Sequence, residues 1–115
     1  MYTMKCRHLK RAAPGDLLCA PHLIDIEVAH VMRRAWLQGL LDEVRAEQAL
    51  GDLADWPLIR YPHDLFLPRI WSLRHHVTAY EAVYVALAEA LEATLITGDA
   101  RLASSSGHEA MVELA

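Results

Sequence analysis

The chain has 115 residues, 54% of them hydrophobic and 23% charged, which is one domain's worth of ordinary globular sequence rather than a disordered one. Its formal charge of −4 is uneven: Lys5, Arg7, Lys10 and Arg11 head the chain, and from residue 12 onward seven basic residues face fifteen acidic ones, a net −8. That body excludes a nucleic-acid binder of the basic-patch kind, so any action on nucleic acid needs metal ions to offset the local negative charge.

The apolar runs are far short of a membrane span and the N-terminus lacks a signal-type core, so a cytoplasmic protein without a membrane partner is expected. Cys6 and Cys19 make neither a metal spacing nor a disulfide framework, and reduced thiols are expected.

Residues 1–16 show neither clean alternation nor a helical stripe, and they close on Pro14-Gly15-Asp16, a turn signal. This basic head reads as a phosphate-binding arm or, more blandly, as a solvated terminus. Leu17 to Ala20 is a short strand stopped by Pro21. Ile24, Val28, Val31 and Ala35 recur at helical spacing, which predicts a helix from Asp25, as N-cap, to Gly39. A second helix is expected from Asp42 to Trp56, with Val44, Ala49, Leu50 and Leu53 inward. Leu58 to Tyr61 is a strand, and Asp64 to His76 a third helical stretch with Pro68 near its start. Thr78 to Ala93 is the clearest helix. Thr94 to Thr97 is a strand, Asp99 to Ala103 a turn of helix, and Met111 to Leu114 a final strand. Strands separated by helices predict a parallel α/β sheet with right-handed crossovers.

Three carboxylates stand out by position. Glu81 heads the apolar helix, but Thr78-Ala79-Tyr80-Glu81 is also a capping box, its structural explanation. Asp99 follows a strand, where open α/β sheets place their ligands, and equally where a helix takes an ordinary N-cap. Glu27 falls in the apolar context Ile24-Asp25-Ile26-Glu27-Val28, where a charge is costly unless paired; an exposed first-turn glutamate favoured by the helix dipole is the alternative. Together they could hold a divalent metal. His22, Asp25, Glu27 and His30 form a competing constellation, but a di-iron site needs two E-x-x-H pairs and only Glu27 and His30 supply one. No Gly-rich phosphate loop, G-x-S-x-G elbow or catalytic Cys–His spacing is present.

Three segments resemble PIN-domain toxins of the VapC class in order and spacing. They are Ala20-Pro21-His22-Leu23-Ile24-Asp25-Ile26-Glu27-Val28, the stretch Leu73-Arg74-His75-His76-Val77-Thr78-Ala79-Tyr80-Glu81-Ala82-Val83-Tyr84-Val85-Ala86-Leu87-Ala88, and Leu95-Ile96-Thr97-Gly98-Asp99-Ala100-Arg101-Leu102-Ala103. The resemblance covers about residues 17–115. It implies a three-layer α/β/α sandwich around a parallel sheet, and an endoribonuclease dependent on Mg2+ or Mn2+. It also implies an RNA substrate, a VapB-type antitoxin and a homodimer. By carry-over, Glu27, Glu81 and Asp99 match three family acids as metal ligands and catalytic groups, with Glu81 where the family usually has Asp.

The departure is at the start. The family begins with a central strand ending in an aspartate, in a V-x-D-x-S pattern that residues 1–16 do not carry. The expected organisation is therefore an atypical basic segment, 1–16, before a PIN-like domain, 17–115, whose N-terminal strand is missing or replaced. Two interior strand edges would then stand unpaired. Such a chain either starts late or in another frame, or has degenerated. On the latter reading it is a non-catalytic remnant that binds an antitoxin or itself through apolar helices carrying Trp36, Trp56 and Trp71.

Overall fold

Helix and strand boundaries follow the sequence's punctuation closely. The structure, a computed structural model, describes residues 18–115 in full and residues 2–5 by their backbone. The basic residues Arg7, Lys10 and Arg11, the turn at Pro14–Asp16 and Cys6 lie outside the described residues. The chain divides into two units, Met1–Pro21 with Leu58–Ala115, and His22–Pro57.

The first unit holds a five-stranded sheet. In chain order its strands are β1 (Tyr2–Lys5), β2 (Leu18–Pro21), β3 (Ile59–Tyr61), β4 (Thr94–Thr97) and β5 (Met111–Leu114), and in space they run β3-β2-β1-β4-β5. β2 and β3 are parallel, with Cys19 opposite Ile59, and so are β4 and β5, with Thr94 opposite Met111. Their parallel direction is the one the α/β alternation predicts.

The centre of the sheet differs from expectation. β1 lies between β2 and β4 and runs antiparallel to both, with Met4 opposite Cys19 on one side and Leu95 on the other. The interior edges expected to stand open are thus paired, by the head that showed no strand pattern. Four residues are too few for alternation to be visible, and a strand bonded on both sides draws its stability from its neighbours' backbone groups. The fold remains an α/β PIN-like one, but its sheet is mixed rather than wholly parallel. Cys19 is a second correction: it is disulfide-bonded rather than reduced. Spacing along the chain did not show that antiparallel pairing lays the N-terminal strand directly against its own.

Helix α4 (Ala79–Leu91) lies against this sheet, touching β2 and β4. Residues 81–88 are buried all round, because strands cover one side and α3 (Leu67–Ser72) packs on another. Tyr84, Leu87, Leu95, Leu73 and Leu102 are fully buried and form the core; each such side chain is worth about 1.5–3 kcal/mol on removal from water. The expected third helix is broken. Asp64–Phe66 is a 3-10 turn, and α3 begins only at Leu67 with proline in its first turn. Pro68 has no N–H to continue a helical ladder from upstream, so a helix starts there more readily than it passes through.

The second unit is a helical hairpin of α1 (Leu23–Leu37) and α2 (Glu43–Asp55). Gly39 takes the left-handed conformation that ends α1, with φ +74°. Asp42 caps α2 by accepting from the Arg45 N–H at 2.8 Å. α1 starts two residues before the predicted Asp25, directly after Pro21, and its N-cap position, His22, makes no side-chain cap. Asp25 instead sits in the first turn, where the helix dipole favours a negative charge. No α2 residue is fully buried, and Val44, expected inward, is exposed.

Candidate metal centre

α4 turns directly into β4, through Glu92 in the left-handed conformation and the Ala93 N–H bonded to the Ala88 carbonyl. Helix and strand are therefore antiparallel neighbours, and the N-terminus of α4 meets the C-terminal end of β4. That places Glu81 beside the turn that carries Asp99.

Each of these two carboxylates divides its oxygens between two duties. Glu81 Oε1 accepts from the Thr78 N–H at 2.9 Å, while the Glu81 N–H donates to Thr78 Oγ1 at 3.1 Å, so the predicted capping box is formed. Asp99 Oδ1 accepts from the N–H groups of Arg101 at 2.9 Å and Leu102 at 3.4 Å, capping α5 (Ala100–Ala103). The Asp99 N–H donates to Thr97 Oγ1 at 3.0 Å, which fixes the turn. The other two oxygens, Glu81 Oε2 and Asp99 Oδ2, face one cation. Arg101 Nη2 lies 2.6 Å from the first and 3.5 Å from the second. Capping and charge pairing thus coexist: the first oxygen of each pair orients its carboxylate, and the second is presented to a positive charge.

The Glu81 side chain is 5% exposed and that of Arg101 63%. Leaving the Glu81 charge unmet in such a place is expensive, which is why a cation stands there. Arg101 was not singled out in the sequence. The Asp99-x-Arg101 turn was visible, but the reach from α5 back to α4 depends on a contact between residues 20 apart.

Glu27 belongs to the hairpin unit, on α1. Its Oε1 is buried, with no hydrogen-bond partner among the described residues. A buried carboxylate oxygen in that state calls for a hydrogen-bond donor or a cation. No group of three or more His, Cys, Asp or Glu close enough to hold a metal occurs among the described residues. What the structure brings together is the pair Glu81 and Asp99. Their free oxygens are hard donors of the kind Mg2+ and Mn2+ take, and one or two protein carboxylates completed by water is an ordinary Mg2+ arrangement. The pair therefore fits such an ion in chemistry.

A cleft of about 550 Å³ lies at the opposite end of α4, and Glu89, Glu92 and Glu109 are among the residues that line it. Its acids are not the counterpart of the site. Arg69 grips Glu89 through both guanidinium arms, at 2.9 and 2.8 Å, and the Glu109 N–H adds a third bond at 2.9 Å. The Arg69 hydrogen bonds hold the Glu89 carboxyl below its usual range against the opposing effect of burial. The same hydrogen bonds raise Arg69. This is a structural ion pair joining α4 to α3.

No family model matches the chain. Individual relatives do. The chain is similar to Ribonuclease VapC1 of Mycobacterium tuberculosis, at 48% identity over 102 residues, which cover 83% of this chain and 72% of the relative. It is also similar to Ribonuclease VapC12 of the same organism, at 36% over 104 residues, 90% of this chain and 81% of the relative. VapC ribonuclease Mb0985 of Mycobacterium bovis is 40% identical over 91 residues, 79% of this chain and 72% of the relative.

Proposed function

The chain belongs to the VapC ribonuclease family, the toxin half of toxin–antitoxin pairs, and on that premise we propose a divalent-metal endoribonuclease whose ion is held by Glu81 and Asp99. The single observation that supports the pair is the convergence of Glu81 Oε2 and Asp99 Oδ2 on one cation. Glu27, in the hairpin unit, is proposed separately as a catalytic acid, on its place in the family-like segment and on a buried oxygen that has no hydrogen-bond partner among the described residues.

When bound, Mg2+ or Mn2+ supplies Lewis acidity toward the RNA phosphodiester and a nucleophilic water at neutral pH. The chain's own part is orientation. Thr78 fixes the Glu81 carboxylate and the α5 N–H groups fix that of Asp99, so neither has to reorganise to present its second oxygen. Metal is also what lets a body of net −8 approach a polyanion. Relatives named VapC imply a VapB-type antitoxin beside the RNA substrate. The further partner we propose is a second copy of the chain, and the compartment the cytoplasm.

The test is cleavage of a structured RNA with Mg2+ or Mn2+. Chelator should abolish it, and Glu81→Gln or Asp99→Asn should lower it by about a hundredfold or more. Cleavage indifferent to chelator would remove the metal from the account.

A second reading, a non-catalytic binder of antitoxin, is favoured by one observation. The central strand β1 has the sequence Tyr-Thr-Met-Lys and so contributes no carboxylate where the family has one. Co-purification with an antitoxin, without any chelator-sensitive cleavage, would select it.

A further inference from the structure

We propose that Arg101 is a resident counter-cation of the carboxylate pair, one that a divalent ion must displace in order to bind. The inference rests on the metal reading above and concerns how this chain sets its affinity for the ion.

Three features carry it. First, one nitrogen, Nη2, meets both of the oxygens that helix capping leaves available, Glu81 Oε2 at 2.6 Å and Asp99 Oδ2 at 3.5 Å. Second, burial is lopsided: the acceptor is at 5% exposure and the arginine at 63%. The carboxylate cannot turn to water for relief, whereas the guanidinium can swing into solvent and stay fully charged. Third, the backbone beneath Arg101 is tied independently of its side chain, by its N–H on Asp99 Oδ1 and its carbonyl accepting from Ser104 Oγ. The side chain can leave without unravelling α5.

A guanidinium seated on a carboxylate oxygen repels a divalent cation that approaches the same oxygen, in a site partly shielded from water. The two therefore compete, and the ion's apparent affinity falls as the fraction of molecules with Arg101 seated rises. Without metal, the same arginine neutralises a carboxylate that would otherwise be buried alone. Removing it should accordingly push two observables in opposite directions. A merely structural arginine would move both the same way, since its loss would loosen the site and weaken metal binding.

The experiment is Mn2+ binding to the full chain by calorimetry, with thermal unfolding in chelator as the companion measurement. Arg101→Gln should bind Mn2+ about tenfold more tightly than the wild type, the scale of one charge-assisted hydrogen bond. In chelator it should melt lower. If Arg101→Gln does not fold, Arg101→Lys keeps a charge but loses the planar fork, and should tighten Mn2+ binding by about threefold. Unchanged or weaker Mn2+ binding in the variants overturns the proposal and leaves the metal reading standing. No Mn2+ binding to wild type or variant removes both. In a Glu81→Gln background the arginine substitution should no longer matter, and an effect that persisted there would place Arg101's influence elsewhere and overturn the proposal.

Discussion

Glu92 sits at φ +51°, in the left-handed region, where every residue with a Cβ pays a steric penalty that glycine escapes. Its N–H closes the end of α4 on the Ala88 and Glu89 carbonyls, so the conformation is imposed by the turn into β4 and not by its side chain. Glu92→Gly should therefore stabilise the fold by about 0.5–1 kcal/mol, read as a higher thermal midpoint. At the same scale, Arg69 holds Glu89 below the ordinary glutamate value of 4.5. A carboxyl lowered on folding contributes stability that is fully present above its unfolded pKa and is lost as pH falls through the folded one. Stability should thus decline as pH drops below about 4.5. Arg69→Gln should flatten that decline and lower stability at neutral pH by about 1 kcal/mol or less, because the arginine is partly solvated. Urea unfolding at pH 7 and pH 4 checks both signs.

The site is built where elements end. α4 needs its first N–H groups satisfied, and Thr78 and Glu81 do that reciprocally. α5 has the same need, met by Asp99. Thr78→Ala should cost about 1 kcal/mol through the lost cap, with Thr78→Ser near wild type, both measurable as urea midpoints. The capping box was legible in the sequence because its residues are three apart and local. So were the strands Thr94–Thr97 and Met111–Leu114, bounded by polar residues and turns. The role of Arg101 was not, because it exists only once α4 and α5 are folded against the same strand. Nor was the antiparallel β1 legible, since direction within a sheet is decided by neighbours and not by four residues of pattern.

For the molecule as a whole, the α/β fold and the VapC relatives agree on a ribonuclease toxin. No helix among the described residues is long and apolar enough to cross a membrane. Trp36, Trp56 and Trp71 are exposed. In the hairpin unit, Trp36 lines a groove of about 260 Å³ between α1 and α2. Glu27 was legible as an acid in apolar surroundings, where a charge is costly unless paired, and one of its oxygens is buried with no hydrogen-bond partner among the described residues.

The most direct test is Mn2+-dependent cleavage of a structured RNA by the full chain, with wild type and Asp99→Asn run side by side. Asparagine can still cap α5 through its side-chain oxygen, so the variant should fold and melt like the wild type. The account predicts cleavage by the wild type that chelator removes, and a loss of about a hundredfold or more in Asp99→Asn at unchanged thermal midpoint. Cleavage that persists in chelator, or that Asp99→Asn leaves intact, would contradict a site built on the Glu81 and Asp99 carboxylates.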